Sequence, residues 1–99
     1  MMTKPPLIKV ECREVQRLCR ECNCLEWLLT LRTELTVNKP ASVHSGQVPG
    51  TLSQIVRCYD VDNALVLVVH QFLRPDGTIG ASGKPDPKRI LRQNTVYYC

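Results

Sequence analysis

No stretch of this 99-residue chain is apolar for long enough to cross a membrane; the longest such run, residues 64–69, is the size of a strand. The opening MMTKPPLIKV has no apolar run that would serve as the core of a secretion signal. No segment repeats, which excludes a solenoid or a propeller. Charge of one sign is not abundant either: 13 Lys and Arg against 9 Asp and Glu leave a net charge of +4. That balance favours anionic partners and is too small to dictate one. Without a signal for export, thiols ordinarily stay reduced, so the expectation is a soluble cytoplasmic protein with no membrane partner.

What is present suits one small domain spanning residues 1–99. Hydrophobic residues make up 43% of the chain and charged residues 22%, which argues against disorder throughout. A chain this short buries a core only marginally and has no room for a second one.

Residues 1–6 read as a flexible, Pro-containing lead. Ile8, Cys12, Val15, Leu18, Cys19, Cys22, Leu25 and Leu29 then recur at steps of three and four and define one face of an amphipathic helix. Cys24, Trp27, Leu28, Leu31 and Leu35 form a second stripe, roughly opposite the first at about 100° per residue. A helix with two apolar faces requires two partners: the sheet, and either another helix or a second copy of the chain. Self-association through Trp27, Leu28 and Leu31 follows as an expectation. The helix is expected to end near Arg32. Residues 29–37, LTLRTELTV, alternate and are rich in β-branched side chains, so a strand competes there.

Residues 38–50 carry Pro, Gly and Ser and read as a loop. Residues 52–61 and 64–73 are apolar strands around Asp62-Asn63, residue types that tolerate the positive φ of a two-residue hairpin turn. That turn pairs Val61 with Ala64, Tyr59 with Val66 and Arg57 with Val68. The second strand is apolar on both faces until His70 and is expected to be central. Residues 74–87, RPDGTIGASGKPDP, form a Gly/Pro loop opened by a tight turn at Pro75-Asp76-Gly77. Pro85 and Pro87 argue against a regular helix or a central strand. Residues 88–91 and 95–98 flank Gln93-Asn94 as a terminal hairpin, unless Asp86-Pro87 opens a helical turn. The fold class is thus α+β: an N-terminal amphipathic helix packed on a small antiparallel sheet. That sheet consists of a central hairpin over residues 52–73 and a short C-terminal strand or hairpin.

Four constellations bear on chemistry. The first is Cys19-x-x-Cys22-x-Cys24, with Cys12 upstream. Zinc takes four ligands, usually from turns that reverse the backbone. Here the spacing is helical, Cys24 points away from the other three, and His44, Cys58, His70 and Cys99 are scattered. Buried free thiols are the plainer reading, and neither metal nor cofactor is assigned. The second is residues 77–84, GTIGASGK, which end like a phosphate-binding loop. Thr78 stands where that pattern needs Gly, and Pro85 stands where it needs Ser or Thr and the start of a helix. What survives is a cradle of Gly and Ser amides near Lys84 that suits an anion.

The third constellation, Pro75-Asp76 followed by Asp86-Pro87-Lys88, resembles as a string the PD-(D/E)xK signature of nucleases. Their carboxylates and lysine gather around a metal ion at the end of paired strands, a pairing that Pro87 interrupts. The fourth is a basic tail: Arg74, Lys84, Lys88, Arg89 and Arg92 outnumber Asp76 and Asp86 and supply most of the net charge. Such a segment can follow a phosphate backbone, with Tyr97 and Tyr98 for stacking. His70, at the end of the central strand, is expected to be a hydrogen-bonded histidine at the edge of the core. No Ser/His/Asp or Cys/His set stands at linear spacing.

These readings lead to a small non-enzymatic interaction module, self-associating, whose basic Gly/Pro loop contacts a partner protein or nucleic acid through Arg74, Lys84, Lys88, Arg89 and Arg92. Two alternatives stand beside it. One is a metal-binding module built on the N-terminal cysteines; the other is a small nuclease or hydrolase using Asp76, Asp86 and Lys88. No catalytic residue is assigned on the leading reading.

Overall fold

A computed structural model describes residues 4–99. The chain runs β1 (Leu7–Lys9), α1 (Cys12–Cys22), α2 (Trp27–Thr30), β2 (Arg32–Pro40), β3 (Leu52–Tyr59), β4 (Leu65–Leu73), β5 (Asp86–Arg92) and β6 (Thr95–Tyr98). The strands form one six-stranded sheet in spatial order β1-β6-β5-β4-β3-β2. From β2 to β6 each strand pairs antiparallel with the next, and β1 closes the far side in parallel with β6. The class is α+β, as expected. The sheet is larger than expected and mixed, because two strands emerge from segments read as helix and helix end.

The first of these is β1. Ile8 matches the helical spacing but pairs with Tyr97 and is 43% exposed. Backbone bonds fix this strand at both ends: Val96 N–H donates to Pro6 C=O, and Val10 N–H to Tyr98 C=O. The helix therefore begins only at Cys12. It ends where Asn23 takes a left-handed conformation, φ 55°, and donates its N–H to the last carbonyls of α1. Asn is one of the few residues that adopts this conformation cheaply. A 3-10 turn over Cys24–Glu26 and the single turn of α2 follow.

This break corrects the two-faced helix. Val15, Leu18 and Cys19 of α1 are buried, and so is Cys24 beyond the break. Trp27, Leu28 and Leu31 are half-buried against the same core. Two stripes that would oppose each other on one continuous helix converge on one core once the chain turns at Asn23. Trp27, Leu28 and Leu31, the residues expected at a dimer interface, thus give part of their surface to this core. At residues 30–37 the strand reading prevails: β2 starts at Arg32 and runs to Pro40, shortening the loop expected at 38–50.

The β3–β4 hairpin forms with Arg57 opposite Val68, as expected, but Tyr59 faces Leu65 instead of Val66. The turn is longer than two residues. The Asp60 carboxylate accepts from the N–H groups of Asp62 and Ala64, both at 2.9 Å, and only Asn63 takes positive φ. A left-handed residue closing a turn in this way leaves a bulge at the strand end. The C-terminal hairpin also forms, with Gln93 and Asn94 both at positive φ. Pro87 does lie in an interior strand, contrary to expectation. It sits beside the irregularity in the β4–β5 ladder, where Val68 faces Arg89 and Val69 faces Pro87, and a bulge is one of the few places where a strand accommodates Pro.

The expectation of six reduced thiols is corrected as well. Cys12 is bonded to Cys99 and Cys19 to Cys24, with Cα atoms 5.1 and 5.0 Å apart. With these bonds the thiol argument for a cytoplasmic setting falls away. Cys22 and Cys58 remain free. Among the described residues no helix is long and apolar enough to cross a membrane.

Candidate functional site

The sheet has one covered face and one bare one. Strand alternation puts Leu67 and Val69 of β4 and Cys58 of β3 on the side occupied by α1, with Ile90 of β5 opposite Leu67. The opposite side presents Ile55 and Arg57 from β3 and Val68 and His70 from β4. The β4–β5 ladder is irregular at this point. Val68 faces Arg89 and Val69 faces Pro87, which leaves Lys88 as an extra residue in β5. In a regular strand Lys88 and Arg89 would point to opposite faces; the bulge lets both reach the bare one.

There they line a shallow hollow of about 470 Å³ together with Arg57 and Tyr98. Ile55, Leu65 and Val68 contribute apolar surface, Thr36 and Val37 form the side towards β2, Cys99 completes the lining, and no Asp or Glu side chain belongs to it. Lys88 is paired with Asp86 at 2.8 Å. Arg57 and Arg89 make no ion pair among the described residues. The Arg89 Nε is enclosed and has no hydrogen-bond acceptor among the described residues.

The basic tail does not form a single patch. Arg92 lies against the helix, donating to Glu21 at 2.6 Å and to the Leu18 carbonyl at 3.4 Å, and so ties β5 to α1. Arg74 is half-buried where β4 ends and opens the tight turn, its C=O accepting from Gly77 N–H. Lys84 is exposed and lines a second, smaller hollow of about 210 Å³ with Gln16, His70, Ser82 and Asp86. Only Lys88 and Arg89 of the five share the bare face. Arg57 joins them from a strand far away in sequence, with no local signal to single it out.

His70 is a hydrogen-bonded histidine at the core edge, as expected. Its Nε2 lies 2.8 Å from the Ser53 hydroxyl, and its ring meets Phe72 edge-on at 4.7 Å. Burial lowers its pKa, the Lys88 charge adds to this, and Asp86 partly offsets both. Asp86 faces His70 across the ladder. Burial pushes its carboxyl up, but hydrogen bonds from Lys88 and Gln16 outweigh that and hold it below the usual range.

The look-alike motifs resolve into turns and strands. The Asp76 carboxylate accepts from the Thr78 N–H at 2.9 Å and hydroxyl at 2.6 Å, which closes the tight turn. No hydrogen bond or ion pair joins it to Asp86 or Lys88 among the described residues. The loop ending at Lys84 leads through Pro85 into β5 and not into a helix. Among the described residues no group of three or more His, Cys, Asp or Glu side chains is placed to hold a metal ion, and two of the three clustered cysteines are tied to each other. No family model, no curated protein and no solved structure matches this chain.

Proposed function

We propose that this chain is a non-enzymatic interaction module that holds a single-stranded nucleic acid on the bare face of its sheet. The observation that carries the reading is the hollow itself, where Arg57, Lys88, Arg89 and Tyr98 meet over aliphatic side chains with no Asp or Glu side chain among them. Guanidinium groups that lack a protein partner match phosphate oxygens. The tyrosine and the aliphatic surface suit the flat faces of unpaired bases, which a duplex hides. Lys84, in the Gly/Pro loop, lines the smaller hollow beside His70 and not this one.

Fluorescence anisotropy with a short labelled single strand tests this. Affinity should fall with salt, with a slope of about −0.7 for each phosphate neutralised. The Arg57→Ala/Arg89→Ala double variant should lose most of the binding and flatten the slope, while Lys84→Ala should change little. No binding at low salt, or equal binding by the double variant, overturns the reading.

A further inference from the structure

The sheet's two edges are unlike each other. β1 offers three residues; β2 offers nine, Arg32–Pro40, exposed along their length except for half-buried Val37. Among the described residues β2 pairs only with β3, so the backbone groups on its outer side have no described strand beside them. Such an edge is a template for another strand. We propose that a second copy of this chain pairs there, β2 against β2 and antiparallel, with Glu34 of each copy opposite Lys39 of the other.

The bulge in β2 selects that register. Glu34 faces Arg57 and Lys39 faces Ser53 across the β2–β3 ladder, two positions on the bare face. They are an odd number of residues apart and would point to opposite faces of a regular strand. The irregularity between Leu35 and Val37 brings them to the same one. A two-fold axis normal to the sheet, passing between Thr36 and Val37, then sets Glu34 against Lys39 twice and Leu35 against Asn38 twice. An axis through Thr36 would oppose Glu34 to Asn38, whose ladder partner Gln54 lies on the covered face, so the pleats would disagree. An axis between Leu35 and Thr36 would oppose Arg32 to Lys39, two like charges. Of these three registers, only the first satisfies pleat and charge together.

The consequence is a sheet of doubled width. Thr36 and Val37 border the hollow, so the two hollows would stand on one side of the joined sheet, next to each other across the axis. The pairing goes beyond the nucleic-acid reading and does not depend on it.

Sedimentation of the full, disulfide-bonded chain over a concentration series at low ionic strength tests it. The wild type should approach twice the 11.2 kDa monomer mass. Glu34→Lys and Lys39→Glu should each raise the dimer dissociation constant by about tenfold or more, since each replaces two opposite-charge pairs with two like-charge ones. The charge-swapped Glu34→Lys/Lys39→Glu double variant should restore the dimer, a rescue that damage to the fold would not produce. A wild type that stays monomeric, a dimer indifferent to Glu34→Lys, or a double variant that fails to recover each overturns the proposal. So does a dimer that only Trp27→Glu abolishes, because that would put the interface on α2.

Discussion

His70 and Asp86 face each other across the β4–β5 ladder, and the fold lowers the pKa of both. For His70 the main cause is burial, reinforced by Lys88. A histidine with a depressed folded pKa takes up its proton more readily in the unfolded chain. Its stabilising contribution is therefore present above its ordinary value of 6.5 and is lost as pH falls through the folded value. The sign is the same for Asp86, whose contribution is present above 3.8 and fades as acid protonates it. Thermal melts should show the Tm declining in two stages on acidification. His70→Gln, which keeps a hydrogen-bonding group near Ser53, should remove the first stage and leave the second. A Tm that is flat from about pH 7.5 to 5.5 in the wild type would contradict this assignment. Cys58 shows the other use of burial: its thiol is pushed up, and it donates to the Trp27 carbonyl at 3.4 Å. It behaves as a small core residue, as the cysteines were expected to do.

Among the elements, the β3–β4 hairpin was the most legible in the sequence. Two β-branched runs around Asp62-Asn63 announce it, and the Arg57–Val68 pairing follows from the count. The details of its turn were not legible, because the turn is set by the Asp60 carboxylate taking two backbone N–H groups. Asp60→Ala should therefore destabilise the domain by about 1–2 kcal/mol, read as a lower midpoint in urea with an unchanged slope. An unaltered midpoint would show that the strands alone hold the turn. The helix misled for a related reason. Its apolar spacing continues through Asn23 undisturbed, so periodicity reads one long helix, while a single left-handed residue divides it. The strand at residues 32–40 was legible as an alternation that competed with the helix. β1 was not, since three residues paired in parallel with the far end of the chain leave no local pattern.

At the scale of the whole molecule, the Cys12–Cys99 bond fastens the start of α1 to the last residue, across a separation of 87 residues. Closing a loop of that length restricts the unfolded chain strongly, by about 4–5 kcal/mol on a chain-entropy estimate. The Cys19–Cys24 bond spans 5 residues and is worth about 2 kcal/mol on the same basis. Cys99→Ser should thus lower the Tm more than Cys24→Ser, and reductant should lower the wild-type Tm by more than either variant's loss alone. Equal losses for the two variants would count against this ordering. The same scale decides the candidate site. The expected basic loop is divided between a helix-facing ion pair, a loop end and the bare sheet face. Arg57 enters the last of these only through strand pairing.

The sequence by itself determined the mixed class, the two hairpins and the tight turn at Pro75–Gly77. Each of these is encoded over a few residues, through spacing, β-branching or turn chemistry. The tertiary structure alone decided which cysteines bond, which cations share a face, where the helix stops being one helix, and which edge stays open. Those depend on register between segments far apart in the chain. A single bulged residue, Lys88 in β5 or Thr36 in β2, moves a side chain from one face of the sheet to the other.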